Sequence, residues 1–158
     1  MATTKGINSY VTLEEAEAYF ENRLDVAAWV DAPETEKHKA LTTATNVLEG
    51  IDWIGSVISD EQTLAFPRYG TYLDPRLGKA ISMNAIVPNR IVKAQLELAY
   101  HLLNNDGLLD NTGSVKNLTL GPLDLQNIRA PSKVPSAVKS LIRPLELSRG
   151  ANSWWRAN

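Results

Sequence analysis

The chain has 158 residues, of which 44% are apolar and 22% charged, a composition that fits one soluble domain with a real core and argues against wholesale disorder. It contains no cysteine, which removes disulfides, thiolate metal sites and cysteine nucleophiles together and fits a reducing compartment. The formal net charge is only -2, but it is segregated: residues 1–66 carry 12 acids and 4 bases, and residues 67–158 carry 6 acids and 12 bases. Such a split can serve a nucleic-acid face, a charged arm or subunits that stack acidic side to basic side; it also arises when two halves of one domain simply pack together.

Met1 to Asn8 contains no apolar run, so no signal peptide is expected, and no stretch of 18 apolar residues exists to cross a membrane. A cytoplasmic site of synthesis is the expectation. Thr12 is placed to cap a first helix with Glu15 completing a capping box, and Leu13, Ala16, Phe20 and Leu24 recur at helical spacing. The outer face of that helix is acidic, with Glu14, Glu17 and Glu21.

A turn around Trp29 leads to a second helix. Asp31 and Glu34 repeat the capping pattern, Pro33 is tolerated in the first turn, and Leu41, Ala44, Val47, Leu48 and Ile51 form the apolar stripe. Gly50 is the expected stop. From Asp52 to Val87 turn residues dominate (Gly55, Pro67, Gly70, Pro75, Gly78), and the segment reads as a long loop anchored by Trp53, Leu64, Phe66 and Tyr69. Pro88 opens a third helix whose inward stripe is Ile91, Val92, Gln95, Leu98, Ala99 and Leu102, with Gly107 as its end.

Alternation of Val115, Leu118 and Leu120, then Leu123 and Leu125, around Gly121-Pro122 predicts a β-hairpin over about 115–126. An isolated hairpin is marginal, so this one is expected to lean on a helix or a neighbouring subunit. Pro135 opens a fourth helix bearing Val138, Leu141 and Ile142, and Pro144 should end or kink it. The fold class expected is mainly α: a small bundle of about four helices with an inserted β-hairpin and an extended C-terminal tail. Residues 1–148 form the domain and 149–158 a flexible docking tail.

Catalytic chemistry finds little footing. His38 and His101 are the only histidines, both inside predicted helices and without a motif around them. Gly78-Lys79 lacks the rest of a phosphate loop, having Leu73 where the first glycine belongs and Ala80 where a hydroxyl belongs. The acid pairs Glu14-Glu15 and Asp60-Glu61 read as solvated charge, and Asn117-Leu118-Thr119 is a glycosylation triplet without a secretory context. Neither an enzyme, a metal nor a cofactor is expected.

Two constellations point to binding. Phe66, Arg68, Tyr69, Tyr72 and Arg76 interleave rings with guanidinium groups as single-strand platforms do, although the preferred reading of Phe66 and Tyr69 is as core anchors of the loop. Arg149, Trp154, Trp155 and Arg156 form a basic aromatic tail, and adjacent indoles at a terminus are typical interface anchors.

The order of motifs then carries a resemblance. Ser9-Tyr10-Val11-Thr12 leads into the acidic first helix, with Trp29 in the following turn. Leu64-Ala65-Phe66-Pro67-Arg68 stands in the loop, and Val87-Pro88 opens the helix of Ala94-Gln95-Leu96-Glu97-Leu98-Ala99. Leu120-Gly121-Pro122-Leu123 precedes Val134-Pro135-Ser136-Ala137-Val138. Over roughly Ser9 to Leu147 this resembles a phage family catalogued as putative DnaT-like single-stranded-DNA-binding proteins, which is similar to the head-to-tail adaptors of tailed phages.

The resemblance implies a structural, non-enzymatic protein of the virion neck, assembled in the host cytoplasm as a ring, commonly twelvefold. Such a ring joins the portal protein to a downstream nozzle or tail-tube protein, with genomic DNA passing through its channel and no membrane contact. In this reading Arg149, Trp154, Trp155 and Arg156 dock on the portal, and Leu118, Leu120, Pro122, Leu123 and Leu125 meet a neighbour or the tail. The alternative is a replication accessory that binds single strands through Phe66, Arg68, Tyr69, Tyr72 and Arg76.

Overall fold

The structure, a computed structural model, describes residues 2–105, 117–120, 123–126 and 134–147. Among these residues five helices and six short strands follow one another along the chain. Helix α1 (Leu13–Glu21) begins as its sequence dictates: the Thr12 side chain accepts from the Glu15 amide at 3.2 Å, and the Glu15 carboxylate accepts from the Thr12 amide at 2.9 Å. It stops at Glu21, one turn earlier than the apolar spacing predicts, so Leu24 belongs to the following turn and is 92% exposed.

The predicted turn around Trp29 is itself a one-turn helix, α2 (Ala27–Val30), which lays the buried Trp29 ring on Phe20. Helix α3 (Glu34–Glu49) is capped by Pro33, whose extended backbone precedes it, and not by Asp31. It ends at Gly50 as expected.

Segment 52–87, expected as one long loop, holds two antiparallel strand pairs. Strand β1 (Ser56–Val57) pairs with β2 (Arg68–Tyr69), and β3 (Thr71–Asp74) pairs with β4 (Lys79–Ser82) as a small arm. Helix α4 (Asn89–Asn104) follows, capped by Pro88, and is buried along Ile91, Ala94, Gln95, Leu96, Leu98, Ala99 and Leu102. Asn105 is its C-cap; Gly107 lies outside the described residues. The predicted hairpin is present as β5 (Asn117–Leu120) and β6 (Leu123–Gln126), with Leu118 opposite Leu125 and Leu120 opposite Leu123. Helix α5 (Ser136–Ile142) places Val138 and Ile142 in the core.

The core is built where α4 packs between α3 and α5. Its polar centre is Gln95, fully buried on α4. The Gln95 side-chain oxygen accepts from the Tyr10 amide at 3.1 Å, and its nitrogen donates to Ser9 Oγ and Thr45 Oγ1 at 2.8 Å and to the Leu41 carbonyl at 3.1 Å. One side chain thus ties the N-terminal segment and α3 to α4, which satisfies groups that burial would otherwise leave unpaired.

Candidate nucleic-acid interface

The residues singled out as a ring-and-guanidinium platform do not form one. Phe66 is buried in the core, its ring edge-on to Trp53 at 5.2 Å and to Tyr10 at 6.3 Å between centroids. Tyr10 in turn donates its hydroxyl to Glu49, which also accepts from the Ala65 amide at 2.7 Å, so the segment is fastened to the end of α3. Phe66 is therefore unable to stack on a base, and its apolar neighbours explain why.

Arg68 is likewise committed. Its Nε donates to the Ile54 carbonyl at 2.9 Å, and its guanidinium NH2 groups donate to the carbonyls of Gly55 at 2.7 Å and Ala65 at 3.3 Å. These carbonyls converge because the chain folds back through β1 and β2, leaving acceptors that only a forked donor can gather. The charge serves the fold of segment 53–68.

Three of the five residues stay available. Tyr69, expected as an anchor of the loop, is 53% exposed on β2. Tyr72 is half-buried on β3, and Arg76 lies in the turn between β3 and β4 with its side chain 75% exposed. What organises them is Asp74, which sequence reasoning missed. Asp74 is 5% exposed; its carboxylate accepts from the Arg76 amide at 2.8 Å and faces the Arg90 guanidinium of α4 at 3.5 Å. The Arg76 amide, followed by Arg90, holds the Asp74 carboxyl below the usual carboxylate range. One buried carboxylate thereby fixes the arm to α4.

The stretch of chain that carries it is basic. Residues 67–93 contain Arg68, Arg76, Lys79, Arg90 and Lys93 against Asp74 alone, whereas residues 2–66 hold 4 bases and 12 acids. Lys79 stands opposite Asp74 in the β3–β4 register. A spacing rule could not have found this cluster, because α4 and the arm meet only in the fold. Alongside the charge, Leu73 and Leu77 are exposed large apolar side chains of the same arm.

The remaining predicted site residues are placed as follows. Leu118, Leu120, Leu123 and Leu125 sit on the paired strands β5 and β6. Pro122, Arg149, Trp154, Trp155 and Arg156 lie outside the described residues. His38 Nδ1 accepts from the Thr3 amide at 3.2 Å, a tether for the N-terminal segment. Among the described residues there is no cluster of metal-ligating side chains, and no helix is long and apolar enough to cross a membrane.

No curated protein and no solved structure matches the chain. One family model does, over residues 2–157, and its description is "Putative DnaT-like ssDNA binding protein". With nearly the whole length covered, the chain belongs to that family.

Proposed function

We propose that this protein binds single-stranded DNA on the β3–β4 arm and the adjoining first turns of α4. The basic concentration in residues 67–93, set on an otherwise acidic body, is the observation that carries the reading, and the family description supports it. Arg76, Lys79 and Lys93 supply cations for phosphates, and the exposed Tyr69 ring supplies a stacking surface that accepts any base. Binding is the whole activity; no catalytic step is part of the proposal.

Fluorescence anisotropy with labelled oligo(dT) across a salt series tests it. Binding should weaken steeply with salt, and Arg76→Ala with Lys79→Ala should lower the log–log salt slope by about 1.4, at roughly 0.7 per single-strand phosphate contact. Tyr69→Ala should reduce affinity at every salt by about tenfold, the size of one lost stacking contact. Absent binding at low salt, or binding indifferent to all three changes, would refute the arm as the site.

A second reading is favoured by the exposed Leu73 and Leu77 and by the acidic-to-basic split of the chain. Both suit a subunit of a head-to-tail ring, in which unlike surfaces meet around a closed circle. In that reading the protein is a connector between a phage portal and the tail protein below it, with DNA in the channel. Electron microscopy of the protein mixed with the portal from the same genome discriminates: added ring density supports the connector, and a bare portal removes it.

A further inference from the structure

The acidic face of α1 and the single turn of α2 enclose an open groove of about 640 Å3. Its floor is the Phe20–Trp29 stack, whose ring centroids lie 4.3 Å apart. Its wall includes Val30, 65% exposed, and its rim is Glu14, Glu17 and Glu21. Glu17 is occupied, accepting from Lys37 Nζ at 2.9 Å and from Trp29 Nε1 at 3.1 Å. Glu21 faces no cation among the described residues. A ligand for this groove should be aromatic or aliphatic and positively charged.

The chain carries such a segment. Beyond Leu147 the sequence runs Ser148 to Asn158 with Arg149, Trp154, Trp155 and Arg156 and without an acid. Reach decides which copy it serves. The Leu147 amide donates to the Asp52 carbonyl at 2.8 Å, beside the end of α3, while the groove lies beside its start, where Lys37 meets Glu17. From Lys37 to Gly50 the helix advances about 20 Å. The seven residues from Leu147 to Trp154 span at most about 25 Å when fully extended. The groove of the same copy is reached only by a taut segment drawn straight along α3, whereas a second copy imposes no such demand.

We propose that Trp154-Trp155-Arg156 of one copy docks in the α1–α2 groove of a second, with the indoles over the Phe20–Trp29 floor and Arg156 beside Glu21. The contact joins unlike surfaces, so each copy keeps a free groove and a free tail and association can continue. It does not depend on DNA binding, which uses other elements.

Sedimentation velocity of the full chain over a range of concentrations tests the docking. Concentration-dependent association is expected, weakening with salt. Trp154→Ala with Trp155→Ala should weaken it at least tenfold, as should Glu21→Arg, and adding Arg156→Glu to Glu21→Arg should restore it. A mixture of the double tryptophan variant with Glu21→Arg has one intact groove and one intact tail, and should stop at dimers. A chain that is monomeric at every concentration, or association that ignores the tail and Glu21, overturns the proposal and leaves the groove to another occupant. Oligo(dT) titrations of the same variants should be unchanged, which separates this outcome from that of the nucleic-acid reading.

Discussion

Gln95 shows how much one polar side chain can hold. Replacing it with leucine keeps the volume but leaves the Tyr10 amide without its acceptor, while the hydroxyls of Ser9 and Thr45 keep their bonds to Val11 and Leu41. The expected cost is about 2 kcal/mol, which in a domain of this length lowers the melting temperature by about 6 °C, measured by urea and thermal unfolding. The helical spacing already placed Gln95 on the inward stripe, but spacing says nothing of partners on two other segments. Arg68 was misread for the same reason: a guanidinium beside aromatic residues looks like a ligand contact until the carbonyls that claim it are seen. Titration belongs to this scale too. Glu15, Glu17 and Asp74 all sit below their ordinary values in the folded protein: Glu15 through Lys5 and the Thr12 amide, Glu17 because Lys37 and Trp29 together outweigh its burial, and Asp74 through the Arg76 amide and Arg90. A depressed folded value means stabilisation present above the unfolded value and lost as protons bind, so the melting temperature should fall as pH drops from about 5 to about 3. Asp74→Asn should make that fall shallower. At the alkaline end burial, then Glu97, pushes Tyr19 up to about 12, and burial with Glu49 raises Tyr10. Raised values are lost stability once pH exceeds the ordinary 10, so calorimetry should show a second decline there.

At the scale of elements, the helices with strong periodicity were legible and the short pieces were not. Thr12 with Glu15, Pro88 and Pro135 each mark a real helix start within a residue. Helix α2 escaped because one turn gives no period to detect, and Asp31 looked like a cap because α2 hides inside what reads as a turn. The strands of segment 52–87 escaped because their glycines and prolines read as punctuation. Gly55 is there for contact and not for looseness: at φ +77°, a Cβ on it would lie 2.1 Å from the Tyr69 carbonyl oxygen. Gly55→Ala should cost at least about 2 kcal/mol through strain and the displaced strand. Hydrogen exchange should quicken across residues 54–70 while α3 and α4 keep their protection; uniform exchange would contradict this local account.

For the whole molecule, the sequence reading placed the bundle and the segregation of charge but not their conjunction. Arg76 of the arm and Arg90 of α4 lie apart in sequence and both meet Asp74. Helix α5, expected as the fourth helix with Val138 and Ile142 on one side, does bury both. Val138, Ile142 and Leu145 are each 1% exposed or less, and burying three such side chains contributes about 5–9 kcal/mol, comparable to the entire stability of a typical domain. A chain ending at residue 133 should therefore lose its helical signal in circular dichroism, whereas one ending at residue 147 should retain it.

The stitching of that C-terminal piece has a further consequence. The Leu145 carbonyl accepts from the Ile54 amide, the Leu147 amide donates to Asp52, and Trp53 bridges to Glu146, so residues 52–54 are clasped by a segment more than 90 positions later. Loop closure over that separation comes late, because its entropy is spent before any of these contacts forms. During synthesis α1, α3 and α4 emerge long before their last partner and wait with an apolar flank uncovered. The core therefore closes only once residues 145–147 have emerged and met residues 52–54.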